Sequence, residues 1–275
     1  MLFRSSIAAV ALTAVVCMTM APAQAWDESK YPDWKGKWDR VGSPRWVQAG
    51  DKAPLTPEYQ KIFEWNTADQ KAGGHGWEAS WACLPPGMPR IMNAYEPMEI
   101  VITPDTTHIL LEHIHDSRRI FTDGRAWPDE IEPTFHGYSI GTWLDSGGDG
   151  RYDTLEVETR AIKGPRAYDT GGLPLHADNQ TVVKERIHLD KNDRMIMYDE
   201  ITTIDHALTG PWTITKKYAR SKEARPDWIE AICTENNAQV KIQNDNYFIG
   251  AGGLLMPAKP GQAAPDLRYF KQTQK

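Results

Sequence analysis

From Met98 to Arg220 the chain runs in short stretches rich in Val, Ile, Thr and Tyr, in which apolar and polar positions alternate with a period of two. Such alternation marks half-buried strands, because successive side chains point to opposite faces of a sheet. The pattern predicts strands at 98–103, 107–115, 117–122, 137–144, 151–162, 181–189, 194–204 and 212–220. "TPDTT", "DSGGDG" and "DKND" supply turn residues between neighbours. About eight sequential, hairpin-connected strands predict a mostly antiparallel sheet that closes into a barrel, since closure removes exposed edges. Gly137 and Gly141, inside a predicted strand, allow the bends that a barrel needs. Upstream the period changes. "LTPEYQKIFEWNTADQKAG" opens a helix with Thr56 as cap, Pro57 in the first turn and Glu58 behind it, and Tyr59, Ile62, Phe63 and Trp65 form its apolar side.

The ends of the chain read differently. Residues 1–25 carry Arg4, an apolar run from Ile7 to Met20 and Ala23-Gln24-Ala25, which together predict a cleaved signal peptide and a periplasmic or secreted protein. Residues 26–96 form an aromatic-rich, partly helical segment packing on the barrel, 97–240 the barrel, and 241–275 an extended tail. Gly36-Lys37-Trp38 resembles the Gly-x-Trp entry strand of lipocalin-like barrels, so the predicted fold is a lipocalin-like barrel with an N-terminal helical segment. No other apolar run is long enough to insert into a membrane. Loss of Arg4 with the leader takes the formal charge from −6 to −7, a poor balance for binding nucleic acid. Cys83 and Cys233 are the cysteines left after the leader, and in an exported chain they predict a disulfide.

Several polar residues interrupt the apolar faces. Glu185 lies on one face with Thr181, Val183, Ile187 and Leu189; Glu200 lies on another with Ile196, Tyr198, Thr202 and Ile204. If both faces point inward, cross-strand pairing brings the two carboxylates together, and one of them is pushed toward the protonated form that acid–base work needs. Tyr198, Glu112 and His176 join them as candidate catalytic groups. Arg118, Arg186, His136, Tyr138 and Thr202 are candidates for holding substrate. The structural alternative is an ion-pair network in which Arg118, Arg160 or Arg186 neutralises the acids. His113 and His115 share a strand face and could begin a transition-metal site, with His136, His176 or His188 as further ligands. "DSGGDGRYD", Asp145 to Asp153, has oxygen-rich spacing suited to calcium, but it lacks the glutamate of a calcium loop and reads first as a hairpin turn. Phosphate-loop and His-Glu-x-x-His signatures are missing.

Taken together, "RRIFTDGRAWP", "PTFHGYSIGTW", "DTLEVET", "GLPLH", "VKERI", "EITTIDHALTGPW" and "CTENN" resemble a large group of exported bacterial proteins of unknown function. The resemblance spans Cys83 to Asn237 and implies a common fold without implying a reaction. Its motifs fall on Arg118, Asp123, Gly124, Arg125, Ser139, Trp143, His176, Asp178, Glu185, Arg186, Glu200 and Thr202. The chain departs from the pattern in the longer "LDSGGDGRYD" connection and around Pro174-Leu175-His176. The sequence therefore predicts an exported enzyme that uses metal-independent carboxylate and histidine acid–base chemistry, as an isomerase, lyase or hydrolase. Its partner would be a small, partly apolar molecule in the barrel, and it would need no cofactor. A ligand carrier without catalysis is the alternative, and a metal enzyme built on His113 and His115 is a third reading.

Overall fold

In the computed structural model, the described residues are 26–47, 51–78, 80, 83–112, 116–223, 227–228, 233, 239–243, 245–250 and 253–270. Nine strands form a closed barrel in sequential order: β1 (Lys37–Arg40), β2 (Met98–Ile102), β3 (Thr106–Leu111), β4 (Asp116–Phe121), β5 (Tyr138–Leu144), β6 (Thr154–Arg160), β7 (Val182–Leu189), β8 (Ile196–Ile204) and β9 (Trp212–Arg220). The expected eight strands correspond to β2–β9. The ninth is the Gly-x-Trp segment, and it closes the circle. Lys37 and Trp38 pair with Glu99 and Met98 of β2, while Trp38 to Arg40 pair with Arg220 to Tyr218 of β9.

One pairing departs from an antiparallel barrel. β4 and β5 run parallel, through Ile120↔Ser139 and Phe121↔Ile140. Parallel neighbours need a crossover, and residues 122–137 supply it in place of a hairpin turn. Gly141 makes this approach feasible, because a Cβ there would meet Ile120 Cγ2 at 2.7 Å and Leu155 Cδ1 at 3.0 Å.

Alternation sets the core. Ile109, Leu111, Ile120, Leu155, Val157, Val183, Ile187, Met197, Ile201 and Tyr218 all point inward and are buried. A short 3₁₀ turn, Arg90–Asn93, is buried at every residue and is tied to the barrel interior. Tyr218 donates its hydroxyl to Met92 O at 2.5 Å, and Arg118 Nη1 lies 3.5 Å from Met92 Sδ. Trp34, Trp38, Trp46 and Trp143 pack into the same core. Much of the tryptophan content is therefore core volume.

Helix α1 (Pro57–Lys71) begins as its sequence predicts, with Thr56 Oγ1 accepting from Tyr59 N at 3.4 Å. Its buried face differs from the predicted one. Trp65 is 42% exposed, whereas Asn66 is fully buried, donating to Gly172 O at 2.7 Å and accepting from Trp77 N at 3.0 Å. The segment expected to be an extended tail carries regular structure. β10 (Gln239–Ile242), β11 (Asp245–Ile249) and β12 (Leu255–Pro257) form a three-stranded antiparallel sheet, followed by the short α2 (Leu267–Phe270). The Cys83 and Cys233 sulfurs are bonded, at a sequence separation of 150. Among the described residues no helix is long and apolar enough to cross a membrane.

Candidate functional site

The inward face of the barrel carries a buried polar cluster. Arg118 on β4 donates from Nη1 to Glu185 Oε1 at 2.7 Å and from Nη2 to Oε2 at 2.5 Å, a bidentate pair with both side chains at 0% exposure. Nη2 also reaches Thr159 Oγ1 at 3.0 Å, and Thr159 shares a hydrogen bond with Ser139 at 2.8 Å. Glu185 and Arg118 thus both face inward, and the arginine neutralises the glutamate, as in the ion-pair alternative.

The predicted Glu185–Glu200 pair does not form. In the β7–β8 register Glu185 faces Ile201, and Glu200 faces Arg186 on the outside of the barrel. The connection between the strands sets this parity. Asp190 Oδ1 accepts from Asn192 N and Asp193 N, and Ile196 N donates to Asp193 O, so β8 starts later than a two-residue turn would allow. That three-residue slip is an odd number, so it turns every β8 side chain to the other face. Asp199 therefore enters the core beside Glu185. Among the described residues neither of its carboxylate oxygens meets a donor, and burial together with the Glu185 charge pushes its pKa well above the usual carboxylate value. As a neutral acid Asp199 can donate a proton to Glu185; as an anion it would stand unpaired.

This carries a pH prediction. The unfolded carboxyl loses its proton near 3.8, while the folded one keeps it to higher pH. Stability therefore falls as pH rises above 3.8, until the raised folded pKa is passed. Asp199→Asn removes that dependence. Its melting temperature should exceed that of the parent at pH 8, with the difference vanishing near pH 4. Parallel melting curves at both pH values would contradict the assignment.

The other predicted residues are spread apart. Arg186, Glu200, Tyr198 and Thr202 lie on the outer surface. Arg186 sits 3.5 Å from Glu156, Glu200 sits 3.6 Å from His188, and Thr202 shares a hydrogen bond with Thr213 at 2.7 Å. Tyr198 packs 5.8 Å from the His188 ring. Tyr138 stacks on Phe121 at 5.0 Å and accepts from Arg125 Nη1 at 3.4 Å. His136 is half-buried in the crossover before β5. Glu112 is buried at the end of β3, 3.6 Å from Lys37 Nζ. His113 and His115 lie outside the described residues, as do residues 1–25. In the "DSGGDGRYD" connection, Asp145 accepts from the backbone N–H groups of Gly148, Asp149 and Gly150, which makes it a turn brace.

A second cluster, at one end of the barrel, gathers His176 from the β6–β7 connection, Asp178 two residues later, and His206 just past β8. His206 Nδ1 lies 2.5 Å from Asp178 Oδ2, and His176 Nδ1 lies 3.0 Å from the same oxygen. One ligand atom from each of these three residues falls within 4.8 Å of the others, and among the described residues this group alone brings together three such side chains. The Asp178 carboxylate raises the pKa of the His206 imidazole, and its hydrogen bond from His206 helps hold its own pKa below the usual value despite partial burial.

Two neighbours fix the cluster. Asp205 accepts from His176 N at 3.1 Å, from Ala207 N at 2.8 Å and from Thr181 Oγ1 at 2.5 Å, bridging both histidine-bearing connections. The Tyr59 ring on α1 lies 4.9 Å from the His176 ring at 32°, and its hydroxyl accepts from Ala177 N at 3.4 Å. Sequence reading found His176 and, through the family motifs, Asp178. It missed His206, Asp205 and Tyr59. The "Asp-His" pair at the end of β8 was visible in "EITTIDHALTGPW", but only the barrel topology brings it beside residues about thirty positions earlier.

A cleft of ≈ 550 Å³ shares α1 with this cluster and is lined by Leu55, Phe63, Leu173, Gln60, Lys52 and Arg45, among others. Leu55 forms a bridge to Leu208, two residues beyond His206. No protein-family model matches the chain, and no curated protein matches it.

Proposed function

We propose that this is an exported β-barrel enzyme that carries out acid–base chemistry on a small, partly apolar molecule at the His176–Asp178–His206 cluster. One observation carries the reading. Asp178 holds Nδ1 of His206 at 2.5 Å while the His206 side chain is 65% exposed. A carboxylate that grips one ring nitrogen fixes the tautomer and leaves the other nitrogen to take up or release a proton. Export is supported by the signal-like residues 1–25 and by the Cys83–Cys233 bond. The cleft along α1, with Leu55, Phe63 and Leu173 beside Arg45, Lys52, Asp51 and Asp169, suits a ligand that is apolar along its body and polar at one end. The resemblance to exported bacterial proteins fits this reading without naming a substrate.

The proposal moves the chemistry from Glu185 and Glu200, which the barrel wall separates, to a cluster that solvent can reach. The test is a panel of small 4-nitrophenyl esters and lactones, assayed with a pH indicator. Turnover should fall by about 10²–10⁴-fold in His206→Ala and in Asp178→Asn. Turnover left intact by both substitutions would place the chemistry elsewhere. Failure to turn over any compound, with an organic mass retained in native mass spectrometry, would favour the carrier.

A further inference from the structure

We infer that His176, Asp178 and His206 together bind one divalent transition-metal ion, with Asp205 as the positioning residue. This deepens the acid–base reading above, and rests on it, by naming a cofactor for the same cluster.

The argument starts from a convergence of ligand atoms. Nδ1 of His176 and Nδ1 of His206 lie 3.0 and 2.5 Å from the same oxygen, Asp178 Oδ2. One ligand atom from each of the three residues falls within 4.8 Å of the others. A metal ion at that point takes one lone pair from each imidazole and one from the carboxylate.

The spacing agrees. Ligand atoms about 2.0–2.1 Å from a zinc-sized ion stand roughly 3.0–3.4 Å apart in octahedral or tetrahedral geometry. The His176–Asp178 separation of 3.0 Å falls in that range. The 2.5 Å contact of His206 is that of a charged hydrogen bond, which opens when an ion replaces the proton. Because His206 is 65% exposed, a small movement of its ring is unobstructed.

The donor set selects the ion. Two imidazole nitrogens and one carboxylate oxygen suit zinc, cobalt, nickel or ferrous iron better than magnesium or calcium, which prefer oxygen alone. Three protein ligands on a solvent-facing cluster leave coordination positions for water or substrate, the pattern of catalytic rather than structural sites.

Asp205 is the brace. It is 7% exposed, and its carboxylate is spent on His176 N, Ala207 N and Thr181 Oγ1, so it holds the two ligand-bearing connections in register without pointing at the ion. Groups that orient ligands in this way typically contribute 10–100-fold to metal affinity.

The experiment uses the mature protein, stripped with a chelator and dialysed. Zinc is titrated by calorimetry, and cobalt is titrated by its visible absorption. The expected result is one zinc per chain with Kd on the order of 10 µM or tighter, and a cobalt spectrum of mixed nitrogen and oxygen ligation. His206→Ala, at an exposed position that leaves the core intact, should weaken zinc binding by about 100-fold, and Asp205→Asn by about 10–100-fold. If Asp205→Asn fails to fold, His176→Ala provides the second variant. Binding unchanged in His206→Ala, or no stoichiometric zinc, would overturn the inference. Turnover that persists in chelator but is lost in His206→Ala would sink the metal and leave the acid–base reading standing. Stoichiometric zinc lost in His206→Ala, with no turnover on the ester and lactone panel, would do the reverse.

Discussion

Glu185→Gln is expected to destabilise the protein by about 3–5 kcal/mol, measured by urea unfolding at pH 7. The substitution keeps the shape and removes one charge from a pair in which both side chains are at 0% exposure. Arg118 stays charged at any pH a protein survives, so its guanidinium would lose its bidentate partner and keep only the Asp199 carboxyl nearby. The neighbouring hydroxyls of Ser139 and Thr159 can accept hydrogen bonds but carry no charge. Arg118→Met should cost a similar amount for the mirror-image reason, because it strands the Glu185 carboxylate beside Asp199. The double variant Arg118→Met/Glu185→Leu should lose much less than the two singles added together, since replacing a buried pair by apolar side chains is often close to neutral. The non-additivity is the decisive observation. If each single change costs under about 1 kcal/mol, the pair is effectively solvated and the closed barrel is open at this point.

This cluster also shows how far the sequence could be read. Alternation in 181–189 puts Glu185 among Val183, Ile187 and Leu189, and a residue flanked by such neighbours is carried inward with them. The same logic misplaced Glu200, because 194–204 offers two faces of similar character: Ile196, Tyr198 and Thr202 on one, Met197, Ile201 and Thr203 on the other. Only the geometry of the 190–195 connection decides between them, and that rests on hydrogen bonds from Asn192 and Asp193 to Asp190 which a turn motif does not specify. The parallel β4–β5 contact was hidden for a related reason. "DGRAWPDEIEPTFHG" reads as a long loop whether it returns the chain antiparallel or crosses the barrel end. Helix α1 was legible at its start, where capping is local, and less so in its buried face. Asn66 is buried because Trp77, beyond the helix end, and Gly172, 106 residues away, satisfy its amide. The His176–Asp178–His206 cluster lies furthest from local rules, since its members meet only after β7 and β8 have paired.

The second large effect concerns the bond between the segments that flank β2–β9. Replacing both Cys83 and Cys233 with serine releases a loop of 150 residues, and the chain-entropy estimate for a loop of that size is about 5 kcal/mol of global stability. Local opening should respond less. With the barrel folded, the chain is already held at Ser221 by Lys37 O and at Asp227 and Trp228 by the Lys37 ammonium, so the closure that the bond adds is far shorter than the whole loop. A closure of about half a dozen residues is worth roughly 2 kcal/mol. The three-stranded sheet beyond it is attached through buried Ile242 and Tyr247 and through Lys259, which pairs with Asp69 of α1 and with Asp245. The serine variant should therefore show two separable losses. Amide exchange should rise first in β10–β12 while β7–β9 stay protected, and the global unfolding midpoint should fall further than the local loss accounts for. Equal exchange in both regions would mean that the terminal sheet and the barrel open as one unit, and that the bond guards a single cooperative structure rather than the attachment of a smaller one.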